Sequence, residues 1–339
     1  MHLDWLALDI GGANLKLADG QGFAASYPFA MWQAWEQLAQ ELRTLIAESP
    51  ASDRLAVTMT GELADCFETK SAGVRFILKA VQEAADGRHV RIYLNDGKLV
   101  TPHVAAACPL LAASSNWHAL ASFCGRFVPR GGALLMDLGS TTCDLIPLVD
   151  GRIATSSLSD TDRLLRGELV YTGVERSPLC GVIQQVPYRG QSCPVAQELF
   201  ATTRDAYLVL GMLREDETNT NTADGRGSTA AAAQVRLGRM LCATGEAFDR
   251  EDAIAMAEAV VQQQVNLLLE AARKVIAGMS VRPEAMVVSG HGDVVVRRVV
   301  SQLEPQPELI FLQDQLGGEV SRCAPAHALA MIAAEAADV

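Results

Sequence analysis

The sequence lacks the features that mark several large protein classes. Its eight cysteines include no Cys-x-x-Cys pair, which argues against a zinc site or a disulfide framework and predicts reduced thiols. No run of Lys or Arg stands out and the net charge is −12, which excludes nucleic acid and anionic membrane surfaces as partners. No apolar run reaches the roughly 18 residues that cross a bilayer, and no secretion signal is visible at the start. We therefore expect a cytoplasmic protein.

What the chain does have is length and apolar content. Its 339 residues are 49% hydrophobic, which allows a sizeable core and is typical of two domains. Two segments repeat one pattern, LALDIGGANLKLAD (6–19) and LLMDLGSTTCDLIP (134–147). In each, an apolar run is followed by an Asp, a glycine turn and a second apolar run. Each segment therefore predicts a β-hairpin.

The elements around the two hairpins also repeat. The first half reads β-β-β-α-β-α-β-α, with strands predicted at 5–9, 15–18, 23–27, 55–59 and 90–94, and helices at 31–46, 74–85 and 102–127. The order restarts with strands at 133–136, 143–148, 153–156, 285–288 and 309–312, and helices at 251–277, 293–302 and 324–337. An insertion occupies about 158–250, and its polar stretch 215–228 predicts a partly mobile loop.

This duplication resembles the fold shared by actin, hexokinase and Hsp70, in which two ribonuclease H-like α/β lobes face each other across a cleft. We predict a first lobe at 1–128 and a second lobe at 129–323 that carries the insertion, with a final helix at 324–339 packing back on the first lobe. The Asp that ends each first strand then lies at the carboxyl edge of its sheet, where α/β proteins bind ligands.

The two hairpin turns are predicted to bind phosphate, because glycine lets backbone N–H groups approach phosphate oxygens closely. Asp9 and Asp137 would hold Mg²⁺ through water, since Mg²⁺ prefers one or two carboxylates and several waters. The alternative is that these carboxylates only satisfy N–H groups of the turns. Lys16 either reaches a phosphate or is plain surface. The predicted phosphate ligands in the turns are Gly11, Gly12, Ala13, Asn14, Gly139, Ser140 and Thr141.

A third glycine turn, Ser289-Gly290-His291-Gly292, follows a predicted strand and begins a helix. In the superfamily that the chain resembles, a Gly-Gly turn here completes an adenine nucleotide site, and a helix N-terminus favours an anionic group. His291 replaces the expected small residue, and the following helix is rich in Val. We therefore expect this turn to contact a phosphate or simply to start the helix, while ATP is an alternative ligand that it disfavours.

Three longer motifs identify a branch of that superfamily. They are MTGELAD (59–65), YTGVERSP (171–178) and FATTRDAYLVLG (200–211). Together with SNWHALA (115–121), NTADGRG (221–227) and LGGEVSRCAPAHALA (316–330), they resemble the hydantoinase/oxoprolinase-like branch, and within it the small single-chain members linked to tetrahydromethanopterin-dependent one-carbon transfer. The resemblance covers nearly the whole chain.

That resemblance implies a transferase of methanofuran biosynthesis. It would move an aminomethylfuran-methyl group from its diphosphate to the phenol of γ-glutamyltyramine or an analogue and release pyrophosphate. The implied cofactor is Mg²⁺, and the implied partners are a small diphosphate and a phenolic amine. The oligomeric state stays open, and a homodimer is one alternative. The duplicated hairpins independently suit this reaction, because a diphosphate leaving group needs a metal ion and converging N–H donors.

Five residues outside the hairpins are candidates for chemistry or binding. Glu62 and Asp65 follow a predicted strand, and either could take the phenol proton or hold a second metal; the alternative for Asp65 is a helix N-cap. His118 either transfers a proton or is a hydrogen-bonded helix histidine. Arg176 and Arg226 lie in the insertion, where their guanidinium groups would suit a phosphate or a glutamyl carboxylate.

Three other functions stay open at this point, because the fold alone does not fix the chemistry. The first is an ATP-dependent kinase or ATPase, which the His291 turn disfavours. The second is a hydantoin- or oxoproline-opening hydrolase, which usually relies on larger chains or partner subunits. The third is a non-catalytic ligand-binding protein, which retention of both hairpin aspartates disfavours.

Overall fold

The structure is a computed structural model that describes residues 5–337. The predicted final helix reaches residue 339, and its last two positions lie outside these residues. The prediction of two duplicated α/β lobes of the actin/hexokinase/Hsp70 type is confirmed, because each lobe is built on a sheet that starts with a hairpin. Within the described chain, no helix is long and apolar enough to cross a membrane.

The first lobe contains a six-stranded sheet in the order β3-β2-β1-β4-β5-β6. Its strands are β1 (Trp5–Ile10), β2 (Asn14–Ala18), β3 (Ala24–Pro28), β4 (Arg54–Met59), β5 (His89–Tyr93) and β6 (Leu99–Val100). Strands β1 and β2 form the antiparallel hairpin, while β1, β4 and β5 run parallel. All six residues of β1 are buried, because helices cover both faces of this part of the sheet.

Two of the helices predicted in the first lobe, at 31–46 and 102–127, are divided into shorter ones, whereas the helix predicted at 74–85 begins earlier, at Lys70. The helices of this lobe are α1 (Met31–Ala34), α2 (Leu38–Glu48), α3 (Lys70–Ala84), α4 (Pro102–Ala107), α5 (Pro109–Ala112) and α6 (Asn116–Cys124). The single helix predicted at 102–127 is wrong in detail. Proline has no N–H to donate and suits the first turn of a helix, so Pro109 ends α4 and begins α5.

The second lobe repeats this plan, with the sheet order β10-β8-β7-β13-β14 and β9 paired to β8. Its strands are β7 (Gly132–Leu138), β8 (Cys143–Val149), β9 (Arg152–Ile153), β10 (Leu169–Val170), β13 (Pro283–Gly290) and β14 (Glu308–Phe311). Strands β7 and β8 form the second hairpin, and β7, β13 and β14 run parallel. The strand predicted at 153–156 is wrong beyond Ile153, where pairing with β8 stops.

The insertion carries a small two-stranded sheet of its own, β11 (Gln185–Tyr188) and β12 (Gln191–Pro194). The loop predicted at 215–228 is held by two backbone hydrogen bonds, from Asp216 N–H to Ser228 O (2.9 Å) and from Ser228 N–H to Asp216 O (3.0 Å). The helices of this half are α7 (Asp160–Arg166), α8 (Leu179–Val182), α9 (Thr203–Val209), α10 (Ala230–Met240), α11 (Arg250–Gly278), α12 (Asp293–Val300), α13 (Leu312–Leu316), α14 (Gly318–Arg322) and α15 (Ala324–Ala337).

The last helix, α15, lies against the sheet of the first lobe rather than that of the second. Its Leu329, Ala330 and Ala333 pack with Trp5 and Ala7 of β1 in one apolar cluster. Separate clusters fill the second sheet and the insertion. The two hairpins therefore come from different lobes, and their turns face one cleft between them.

Candidate active site

The turns of both hairpins line a single cleft of about 610 Å³. Asp9 and Asp137, at the ends of β1 and β7, lie at its floor. Asn116, Ser114 and Trp32 come from the first lobe, while the second lobe adds Asp144, Asp160, Arg163, Tyr171 and Arg176. Residues that are far apart in sequence therefore converge on the space between the turns.

Each turn is closed by one backbone hydrogen bond at the same position. Gly11 N–H donates to Asn14 O (3.0 Å), and Gly139 N–H donates to Thr142 O (2.9 Å). The predicted role of these two glycines as N–H donors to phosphate is therefore wrong, because their N–H groups are used inside the turns. The N–H groups of the next residues, Gly12, Ala13, Ser140 and Thr141, donate to no acceptor in residues 5–337. These four N–H groups can bind an anion.

The glycine of a Thr-Gly pair packs against each turn, although the two pairs follow non-equivalent strands, β4 and β10. In the first lobe, Thr60 N–H donates to Ile10 O (2.9 Å), and a Cβ on Gly61 would lie 3.0 Å from Gly11 O. In the second lobe, a Cβ on Gly173 would lie 2.4 Å from Ser140 C. The three residues that follow Gly173 donate N–H groups to the same turn, Val174 to Gly139 O and Glu175 and Arg176 to Ser140 O. The MTGELAD and YTGVERSP motifs thus hold the two turns in place.

We predict that Gly173→Ala destabilises the protein by about 1–3 kcal/mol, the usual cost of forcing an extra methyl group into a packed site. The Cβ would collide with the backbone of Ser140 and Thr141, which cannot move without opening the turn. Denaturant unfolding measures the change. Gly181→Ala is the matched control, because no atom lies within 4 Å of a Cβ there. Equal unfolding midpoints for the two variants would contradict this account of the Thr-Gly pair.

The two turn aspartates share one nearby cation, Lys16, and the charge of Asp9 also acts on Asp137. Burial raises the pKa of Asp9, and the nearby Lys16 charge and Asn116 amide oppose that shift. Burial also raises the pKa of Asp137, which Ser289 and Lys16 oppose and the charge of Asp9 reinforces. Asp9 Oδ1 is buried and accepts no hydrogen bond from residues 5–337. A buried carboxylate oxygen without a donor beside a second carboxylate suits a cation.

This pair fits Mg²⁺ better than a metal held by protein ligands alone. In the described part of the chain, no group of three or more His, Cys, Asp or Glu side chains could hold a metal ion. Mg²⁺ commonly uses one or two carboxylates and completes its octahedron with water and phosphate oxygens. Asp9 and Asp137 supply that set next to the four available N–H groups, so the residues present fit the ion.

Glu62 does not face the cleft as the sequence predicts. Its side chain is 1% exposed and lies behind Ser114, whose hydroxyl is 2.8 Å from both Glu62 Oε1 and Asp160 Oδ2. One hydroxyl has one proton, so it can donate to only one of the two carboxylates; the other must itself be protonated to share the contact. Burial raises the pKa of Glu62, whereas Asp160 pairs with Lys70. Burial thus favours the protonated form of Glu62 in this contact.

A second buried pair, Asp144 and Arg163, was missed by sequence reasoning. Asp144 lies on β8 directly opposite Asp137, lines the cleft, and has a side chain that is 13% exposed. Arg163 pairs with Asp144 and lies 4.4 Å above the ring of Trp117. Burial raises the pKa of Asp144 to about 6, although the charge of Arg163 opposes that shift. Among the cleft carboxylates, Asp144 therefore has a pKa suited to proton transfer near neutral pH.

Of the two other predicted catalytic residues, Asp65 lies in the cleft and His118 does not. Asp65 lines the cleft and is exposed, and it is not a helix N-cap, because Thr69 caps α3. His118 lies outside the cleft, where its Nδ1 is 2.9 Å from Tyr93 Oη. Burial lowers the pKa of His118 to about 4, so it is neutral at neutral pH. The structure therefore favours the hydrogen-bonded helix histidine over the proton-transfer role.

The two arginines predicted in the insertion have different positions. Arg176 lines the cleft and lies 4.8 Å above the ring of Trp32, so it connects the second lobe to the first. Arg226 has a side chain that is 61% exposed, is 3.8 Å from Asp224, and does not line the cleft. Its predicted role in binding substrate has no support in the geometry.

A second cavity, of about 810 Å³, meets the cleft at the two turns. Gly290 and His291 of the third glycine turn line it, but Gly292 does not. A Cβ on Gly290 would lie 2.1 Å from Leu138 O, and a Cβ on Gly292 would lie 2.1 Å from Leu138 Cδ2. Both glycines are therefore needed for close packing on β7. Of the three residues predicted to contact phosphate, only Gly290 and His291 are in a position to do so.

Comparison with known proteins identifies a family and two related enzymes. A family model for hydantoinase/oxoprolinase matches residues 53–336. A (4-{4-[2-(gamma-L-glutamylamino)ethyl]phenoxymethyl}furan-2-yl)methanamine synthase from Methanocaldococcus jannaschii is 29% identical over 335 residues, which are 98% of each chain. The synthase of the same name from Methanococcus vannielii is 29% identical over 201 residues, covering 59% of this chain and 89% of the relative.

A solved structure supports the fold independently. A chain of the PilM-PilN type IV pilus biogenesis complex superposes with a TM-score of 0.50 and covers 99% of both chains at 12% identity. At that identity the likeness concerns the fold alone.

Proposed function

The chain belongs to the hydantoinase/oxoprolinase family, and from this premise we propose that it is an enzyme of methanofuran-type cofactor biosynthesis. The reaction transfers an aminomethylfuran-methyl group from its diphosphate to the phenol of γ-glutamyltyramine or a close analogue. The observation that carries the proposal is the pair of hairpin turns, with four available N–H groups and two carboxylates facing one cleft. The full-length relative named as a synthase of that ether supports the substrates.

In this reaction the bond between the furanylmethyl carbon and a diphosphate oxygen breaks, and pyrophosphate leaves with the electron pair. The phenol oxygen forms the new bond to that carbon and loses its proton. Mg²⁺ held by Asp9 and Asp137 would neutralise charge that develops on the departing pyrophosphate. The N–H groups of Gly12, Ala13, Ser140 and Thr141 would bind its oxygens, because fixed donors stabilise developing charge without reorganising.

The walls of the cleft suit the donor substrate. Trp32, Leu63 and Tyr171 supply aromatic and apolar surface for the furan ring, and Asp65 is a carboxylate for its aminomethyl group. Asp144 would accept the phenol proton, since it lines the cleft beside Asp137 and its pKa of about 6 leaves it ionised at neutral pH. Arg163 orients that carboxylate. Glu62 holds Ser114 and Asp160 in place and does not act as the base.

We expect the purified protein with Mg²⁺ to form the ether and release pyrophosphate without ATP. Mass spectrometry of a mixture of the furan diphosphate and γ-glutamyltyramine detects the product directly. Chelation of Mg²⁺ is the matched control and should abolish turnover. An absence of ether, together with ATP-dependent phosphorylation of a small molecule, would replace this proposal with the kinase function.

A further inference from the structure

The second cavity differs in chemistry from the cleft. Among the residues that the structure describes, His291 is the only aromatic side chain that lines it, and Leu213 and Pro325 are its only larger apolar side chains. It therefore offers little surface on which an adenine, furan or phenol ring could stack. Charged side chains dominate instead: Lys16, Arg204, Arg214 and Arg322 are the cations, and Asp137, Glu175, Glu215 and Asp216 are the anions.

Some of these charges already have partners, and others lie close to the turns. Arg204 pairs with Glu175, and Glu215 accepts a hydrogen bond from Ala230 N–H at the start of α10. Lys16 and Arg322 lie near the turns, where both lower the pKa of His291 after the larger effect of desolvation. The side chains of Lys16, Arg214 and Arg322 form no hydrogen bond or ion pair with another residue between 5 and 337. Of these three, Arg214 is the one that belongs to the loop segment 213–216, which lines the cavity.

The loop that carries Arg214 is held in a fixed position. Two backbone hydrogen bonds join Asp216 to Ser228, and Asp216 also accepts from the N–H and hydroxyl of Thr218. A Cβ on Gly227 would lie 2.8 Å from Glu217 O, so the two strands of the loop are in close contact. Arg214 and Asp216 are thus a cation and an anion two residues apart on an ordered segment beside an open cavity.

We propose that this second cavity binds the α-amino acid end of the acceptor substrate, with Arg214 holding the carboxylate and Asp216 holding the ammonium group. The inference rests on the proposed function, because the named product of the relatives carries a γ-glutamyl group at one end. An α-amino acid group has both charges, and arginine binds a carboxylate through two parallel hydrogen bonds. The phenol end then reaches the turns, where the cavity and the cleft meet.

The test compares two acceptors, γ-glutamyltyramine and tyramine, which lacks the amino acid group. Arg214→Ala should reduce the ratio of kcat/KM for the two acceptors at least about 10-fold, as expected when a charge-assisted hydrogen bond is lost. Arg282→Ala is the matched control, because Arg282 is exposed and lines neither cavity. An unchanged ratio in Arg214→Ala, or an equal fall in both variants, overturns the proposal.

A binding measurement separates failure of this inference from failure of the proposed function. Titration calorimetry with γ-glutamyltyramine alone should show affinity weakened at least about 10-fold by Arg214→Ala and unchanged by Arg282→Ala. If the wild type binds the ligand in this way but forms no ether, the function is wrong and the amino acid site stands. If the wild type forms the ether while Arg214→Ala binds normally, the function stands and this site is wrong.

Discussion

Ether formation should fall by about 10²–10³-fold when Asp9 is replaced by Asn, the usual effect of removing one fixed electrostatic group from a site of charge development. Asp137→Asn should act in the same direction, because the two carboxylates face the same turns. Affinity for Mg²⁺-pyrophosphate, measured by calorimetry, should fall with the rate. Unchanged affinity in both variants would exclude these carboxylates from a metal site.

Asp9→Asn should stabilise the folded protein when no ligand is present. Burial raises the pKa of Asp9 in the folded state, so folding opposes ionisation of this group. Stability relative to Asp9→Asn is therefore highest at acid pH and falls as pH rises from about 4, the value in unfolded chains, through the raised folded value. Asp86→Asn is a matched control, since Asp86 is exposed and asparagine tolerates its positive φ of 47°.

Loss of the proposed base should have the second large effect. Asp144→Asn is expected to reduce kcat by about 10²–10⁴-fold, the usual contribution of general acid–base catalysis. In the wild type, kcat/KM should rise with pH through the pKa of Asp144, because the base must be unprotonated; this pKa is about 6 in the metal-free protein, and a cation bound beside Asp137 would lower it. A pH–rate profile at saturating Mg²⁺ measures both changes.

Asp144→Asn also removes the partner of a buried arginine, so a second variant is needed. Arg163 lowers the pKa of Asp144, and Arg163→Gln should move the rise in activity to higher pH while Asp144 is retained. A purely structural role for the pair would reduce activity in both variants and leave the position of the pH rise unchanged. That result would contradict the assignment of Asp144 as the base.

The fold was predictable because the hydrophobic pattern is unambiguous on both sides of each hairpin. The buried strands β1, β4, β7 and β13 each appear in the sequence as short apolar runs that end in turn residues. Element ends were less predictable. Pro109 breaks a segment whose Ala-rich composition favours one long helix, and β9 stops where its pairing with β8 stops rather than where its composition changes.

The site was only partly predictable. The ends of the strands show which edge of a sheet binds a ligand, whereas the burial of a side chain at that edge depends on tertiary packing. Glu62 lies just beyond β4 and Asp9 lies at the end of β1, yet α3 packs so closely on Glu62 that a Cβ on Gly73 would lie 2.4 Å from Glu62 O. No local pattern shows that contact. Asp144 did leave a signal, since it is the one charged residue in the apolar run of β8 and stands opposite Asp137 in the hairpin register.

The matching closure of the two turns has a consequence for ligand symmetry. The same closing hydrogen bond occurs in both turns, so each side of the cleft offers two equivalent N–H groups that have no acceptor among residues 5–337. Pyrophosphate has two equivalent halves and can present one phosphoryl group to each turn, whereas the three phosphates of ATP are not equivalent. Two orthophosphate ions should therefore bind in place of one pyrophosphate, one at each turn.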